Sequence, residues 1–189
     1  MNHINFLEVP LLYVFSLPTE LVGLAKKETW QQPVIGRLAE WWGAIPIDRA
    51  GDVSALKRSI RALQEGRILA LAPEGTRSGD GRMRHARPGI VTIAKRTGAS
   101  IIPVAHWGGE RFWSNLKSLR RTVVTIRVGR PFCLSEDAGV AERQARREAA
   151  DEIMGQVAGL LPEAYRGVYT EDAHRVPRYL EFIEEAFDG

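Results

Sequence analysis

The chain has 189 residues, 44 % hydrophobic and 26 % charged, a globular composition that argues against disorder or low complexity. Its 26 basic and 23 acidic residues leave a charge of +3, which is compatible with anionic partners without selecting one. One cysteine, Cys133, excludes an internal disulfide and a cysteine-based zinc site, and no run of 18 apolar residues offers a spanning helix.

In chain order, the greasiest stretch, Val9 to Leu24, is interrupted by Pro10, Ser16, Pro18 and Glu20. Within it, Leu21 to Leu24 is a short apolar segment ending in Lys26-Lys27-Glu28. Pro33 to Trp42 has helical spacing, with Val34, Leu38 and Trp41/Trp42 on one face. Ala44 to Ile47 is a short strand. Asp52 is placed to cap a helix whose stripe is Val53, Leu56, Ile60 and Leu63, and Gly66 is placed to end it. Ile68 to Ala72 is too short for a helix and is expected to be a strand buried on both faces. A helix over Pro88 to Arg96 stops at Gly98, strands follow at Ile101 to Ala105 and Val123 to Val128, and Ala141 to Leu161 is a long charged amphipathic helix. This alternation predicts an α/β single-domain sandwich, a central mixed or parallel sheet flanked by helices. Residues 1–135 form the expected core, and residues 136–189 a helical C-terminal extension packed on the same domain. Chemistry in such sheets sits beyond the strands' carboxyl ends, which points to the segments after Ala72 and Ala105.

Several devices are absent from the sequence: the G-x-x-x-x-G-K-[ST] phosphate loop, G-x-G-x-x-G, the G-x-S-x-G elbow and H-E-x-x-H. Among the four histidines, His3 has a carboxylate five residues on, Glu8. An imidazole suits removal of a proton from an attacking hydroxyl, and a carboxylate on its other nitrogen would fix the tautomer. The same pair is also compatible with a frayed terminus that does no chemistry. Glu74-Gly75-Thr76-Arg77 follows a strand on a turn, where Gly75 permits positive φ, backbone N–H groups can converge on an anion, and Arg77 adds a planar fork. An ordinary strand-to-helix turn is the other reading. Arg49 ends a short strand and converges with Arg77 on one phosphate if the strands are neighbours. The cluster Arg82, Arg84, His85 and Arg87 is equally compatible with a solvated loop, and the five tryptophans with core packing or a membrane-facing edge.

Taken together and in this order, Asn2-His3 through Glu8, Gly43 through Arg49, Ala72 through Ser78, and Ile102-Pro103-Val104-Ala105 with Gly108 resemble the four sequence blocks of the glycerolipid acyltransferases. The resemblance covers about residues 2–130 and is nearest to the bacterial 1-acyl-glycerol-3-phosphate acyltransferases; Pro73 through Ser78 is its most specific piece. It implies that His3 is the general base for a glycerol hydroxyl and that Glu8, where the family usually has aspartate, holds it. It implies a glycerol-phosphate site of Arg49, Glu74, Gly75, Thr76 and Arg77, and an acyl-donor side shaped by Pro103. The implied acceptor is lysophosphatidic acid, the co-substrate acyl-CoA or an acyl carrier protein, and the product phosphatidic acid. No cofactor, metal or nucleic acid is called for. The expected location is peripheral, on the cytoplasmic face of the membrane. Similar proteins carry an upstream strand and often a membrane-binding helical segment, which are expected to be missing before Met1. Another lysophospholipid, glycerol 3-phosphate or a lipid-linked sugar as acceptor, or a non-catalytic lipid- or anion-binding domain, remains as an alternative.

Overall fold

A computed structural model describes residues 1–4, 8–16, 18–48, 52–138 and 142–184. Two compact units are formed, Leu7–Leu71 and the combination of Met1–Phe6 with Ala72–Gly189.

The Leu7–Leu71 unit contains helix α1 (Glu8–Ser16), strand β1 (Leu21–Lys26), helix α2 (Pro33–Trp41), β2 (Ile45–Ile47), helix α3 (Val53–Gln64) and β3 (Ile68–Ala70). The strands form a parallel sheet in the order β2-β1-β3, with Lys26 opposite Ile47 and Gly23 opposite Ala70. Parallel neighbours need crossovers, and α2 and α3 supply them. Val22 and Ile45 from the sheet pack with Ala55 and Ala62 of α3.

Asp52 caps α3 as expected, accepting from the backbone N–H groups of Ser54 and Ala55 at 2.9 and 3.0 Å. Beyond the helix, Gly66 has φ +81° and donates to the Leu63 carbonyl. In both helices the most buried line consists of small residues rather than the stripe of large apolar ones. In α3 the buried line is Ala55, Ser59 and Ala62, while Val53 is exposed. In α2 it is Gly36 and Ala39, and Val34, Leu38 and Trp41 are exposed. Close approach selects the small residues: a Cβ on Gly36 would sit 3.0 Å from the Trp30 backbone. The expectation of a doubly buried third strand also fails. Among the described residues β3 pairs only with β1, at one end of the sheet, and Ile68 is 43 % exposed.

The Asp52 carboxyl is held well below the ordinary carboxylate range, first by the Asp48 N–H and then by the Ser54 hydroxyl and the Ala55 N–H. A depressed folded-state value adds stability that is fully present above the unfolded value, about 3.9. That stability fades as pH falls through the folded one. Asp52→Ala is therefore expected to lower Tm by a few degrees at pH 6, with the gap to wild type narrowing at pH 3, as read by calorimetry.

In the other unit, helix α4 (Gly89–Thr97) is followed by β4 (Val104–Trp107), helix α5 (Phe112–Lys117), β5 (Thr125–Val128), β6 (Phe132–Leu134), helix α6 (Arg143–Leu160) and β7 (Leu180–Phe182). β4 and β5 pair antiparallel, as do β6 and β7. α4 stops at Gly98, φ +65°, whose N–H returns to the Ala94 carbonyl. The strand expected to begin at Ile101 starts at Val104, preceded by an isolated bridge from Ile101 to Phe132. α6 buries Ala149, Ala150, Ile153, Met154, Val157 and Ala158, and this stripe anchors two hydrophobic clusters. The segment after α6 is not purely helical: short 3-10 turns lead to β7, which pairs with β6. Among the described residues no helix is long and apolar enough to cross a membrane.

Candidate active site

The first four residues lie as an extended segment clamped from three sides. Asn2 is buried, and its side-chain amide pairs with the β4 backbone, donating to the His106 carbonyl at 2.8 Å and accepting from the His106 N–H at 3.0 Å. The His106 ring returns the contact, Nε2 lying 3.1 Å from the Asn2 carbonyl oxygen, so that nitrogen carries the proton. On the other side, the His3 backbone N–H donates to Glu74 Oε1 at 2.9 Å, and its carbonyl accepts from the Ser78 N–H at 2.9 Å. His3 is thus fixed through its main chain, and its side chain is half-buried.

Glu74 is 3 % exposed and both of its carboxylate oxygens have backbone partners, the second being the Arg84 N–H at 2.9 Å. Burial pushes this carboxyl above its ordinary value, opposed by the Arg84 and His3 N–H groups and by the His3 charge. A carboxylate enclosed in this way bridges the His3 segment and the 82–87 loop.

Gly75 has φ +67°, a conformation that favours glycine, and a Cβ there would lie 2.8 Å from Arg87 Nε and push that flexible side chain aside. Thr76 is half-buried. Arg77 is exposed, with no hydrogen bond or ion pair among the described residues, and its fork is open to an anion.

The 81–87 loop is itself held from the C-terminal segment. Met83 donates to the Tyr165 carbonyl at 3.1 Å, and Val168 donates to the Met83 carbonyl at 3.3 Å. The buried Tyr169 hydroxyl accepts from the Ala86 N–H and donates to Asp151 Oδ1, each at 2.7 Å. Burial, joined by the Asp151 bond, pushes this phenol far above its ordinary value. A line of contacts thus runs from α6 through Tyr169 to the loop, and from the loop through Glu74 to His3.

Three other residues were singled out by sequence. Pro103 is buried, accepts from the Gly129 N–H at 2.9 Å, and packs where a Cβ on Gly129 would not fit. Glu8 is buried at the start of α1, in the Leu7–Leu71 unit. Arg49 lies outside the described residues. Its neighbour Asp48 is ion-paired with Lys27, because the carboxyl ends of β1 and β2 lie side by side. Sequence reasoning missed the clamping by Asn2 and His106 and the support from Tyr169 and Asp151. No local pattern signals such pairs; Asn2 and His106 are 104 residues apart.

An α/β scaffold that fixes a histidine beside a glycine-containing loop with a free arginine is suited to group transfer involving an anionic substrate. The sequence profile of the acyltransferase family, described simply as "Acyltransferase", matches residues 1–107, over half of the chain, and the protein belongs to that family. Among its relatives is the chloroplastic 1-acyl-sn-glycerol-3-phosphate acyltransferase LPAT1 of Arabidopsis thaliana, 33 % identical over 110 residues, which are 57 % of this chain and 30 % of that protein. The 1-acyl-sn-glycerol-3-phosphate acyltransferase of Bacillus subtilis (strain 168) is 29 % identical over 156 residues, covering 82 % of this chain and 75 % of its own. Among solved structures, the 1-acyl-sn-glycerophosphate (LPA) acyltransferase PlsC of Thermotoga maritima superposes with a TM-score of 0.57 at 25 % identity, over 80 % of this chain and 60 % of that one. This chain thus spans about a third of the length of three of the plant relatives it matches, those of Arabidopsis thaliana, Brassica napus and Limnanthes alba, from 30 to 36 %.

Proposed function

We propose that the protein transfers a fatty acyl group from a thioester, acyl-CoA or acyl carrier protein, to the free hydroxyl of 1-acyl-glycerol 3-phosphate, giving phosphatidic acid. The observation that carries this reading is the anchoring of His3: a buried carboxylate holds its backbone, on the loop that also presents Arg77. The His3 imidazole takes the proton from the acceptor hydroxyl as its oxygen attacks the thioester carbonyl. The C–S bond then breaks, and the leaving thiolate takes that proton back from the imidazolium. Glu8 is the proposed carboxylate partner of His3, and Arg49 a second phosphate ligand. Pro103 belongs to the proposed donor side. Thr76 offers its backbone N–H toward the phosphate that Arg77 engages, and Gly75, whose own N–H donates to the Ala72 carbonyl at 3.1 Å, shapes the turn of that phosphate site. Glu74 was expected among the phosphate ligands; its enclosed oxygens favour the bracing role instead. The acceptor is itself a lipid, which favours peripheral work at the cytoplasmic face of a membrane.

The test is thiol release from acyl-CoA, and separately from acyl carrier protein, with and without lysophosphatidic acid. Release that requires this acceptor is expected; equal release without acceptor, or none with either donor, would overturn the proposal. Arg77→Gln is expected to raise the acceptor KM about 10- to 100-fold and change kcat less, because a charge-assisted contact to phosphate contributes roughly 1.5–3 kcal/mol.

A further inference from the structure

The connection between β4 and β5 carries an exposed apolar tip. Helix α5 buries none of its residues. Trp113 and Leu116, three positions apart on it, are 58 % and 50 % exposed; Leu119 in the turn after it is 95 % exposed and Val123 71 %. Leu119 is also the one non-glycine residue with positive φ, +53°, among the described residues. Glycine or asparagine ordinarily takes such a position after a helix, because a side chain there is strained. Local bonds fix the turn. Leu119 donates to the Leu116 carbonyl and Arg120 to the Asn115 carbonyl, while the Asn115 amide reaches the Thr122 hydroxyl at 3.1 Å. A leucine is therefore held outward in a conformation that disfavours it, without an apolar contact to compensate. An outlier of this kind points to a partner outside the fold.

The charge of the segment says which partner. From residue 111 to residue 135 there are six basic residues and no acidic one. Four of them, Arg111, Lys117, Arg120 and Arg121, are exposed around the tip. None of the four makes an ion pair among the described residues. Tryptophan and aliphatic side chains ringed by Lys and Arg suit a water–lipid boundary, where apolar tips enter the interface and cations meet anionic headgroups. We infer that the α5 turn, centred on Leu119, is the site where this protein docks on an anionic bilayer. The choice of a lipid surface rests on the lipid-acceptor reading above, but docking is measurable without any turnover.

The full chain would be sedimented with sucrose-loaded vesicles of phosphatidylcholine containing about one-third phosphatidylglycerol, and with phosphatidylcholine alone. Leu119→Gly relieves the strained position, so Tm should hold or rise while partitioning to anionic vesicles falls about fivefold. Arg120→Gln with Arg121→Gln should lower it by about fivefold per residue and leave the weak binding to pure phosphatidylcholine unchanged. Variants that bind like wild type would overturn the inference. So would a wild-type oligomer, seen by sedimentation velocity without vesicles, that Leu119→Gly dissociates, since the tip would then belong to a second copy. A preference for duplex DNA over vesicles would overturn it as well. Thiol release with a short-chain acceptor below its micellar concentration should be equal in wild type and Leu119→Gly. Vesicle binding through the turn with no thiol release would sink the acyltransferase reading alone; thiol release with no vesicle binding would sink the docking site alone.

Discussion

His3→Ala is expected to lower acceptor-dependent thiol release by about 10²- to 10⁴-fold in kcat, the range ordinarily lost with a general base. The acceptor KM should change little. The substitution is unusually clean here because the bonds to Glu74 and Ser78 that position residue 3 are made by its N–H and C=O, which alanine retains. Tm should therefore stay within a few degrees of wild type. A variant that keeps full kcat would remove His3 from the mechanism; one that unfolds would show that the side chain is structural.

The second large effect is expected at Glu74. In Glu74→Gln one carboxylate oxygen becomes an NH2 donor, so either the His3 or the Arg84 N–H is left facing another donor in a buried place. Leaving one buried donor unsatisfied costs roughly 1–3 kcal/mol, which for a chain of this length corresponds to a Tm drop of about 3–10 °C. The kinetic loss should exceed that structural one. A base displaced by an ångström loses about 10²-fold, so kcat should fall by that order while the acceptor KM is nearly unchanged. This split separates the two roles proposed for Glu74. A phosphate-site residue would show itself in KM, and a brace for the base in kcat. Glu74→Asp, one methylene shorter, should recover only part of the rate because it spans the two N–H groups less well.

What could be read from the sequence was local. Asp52 as a cap and Gly66 and Gly98 as helix stops each depend on the backbone within four residues, and each occurs as expected. The alternation of helix and strand sufficed for the α/β class. What spacing does not tell is which face of a helix the fold buries. Periodicity finds the stripe of Val34, Leu38 and Trp41, but packing at close range buries Gly36 and Ala39 instead. Strand burial failed likewise, because Ile68 lies at an end of the sheet and sequence does not give strand order. At the site, residue types were legible but partners were not. Glu74 stands three residues from Arg77 in sequence, yet its contacts are 71 and 10 residues distant, and it is those contacts that suggest a bracing role.

The profile that identifies the family ends at residue 107, the last residue of β4. The strand that pairs with β4 spans Thr125–Val128, and the hydroxyl that holds Ala86 is on Tyr169. The stretch by which the protein is recognised is therefore shorter than the stretch needed to assemble its site. As the chain leaves the ribosome, His3 emerges well ahead of the tyrosine that secures the loop beneath it. Some sixty residues of synthesis separate the end of that stretch from Tyr169, so the bond from its hydroxyl to the loop is among the last supports of the site to become available.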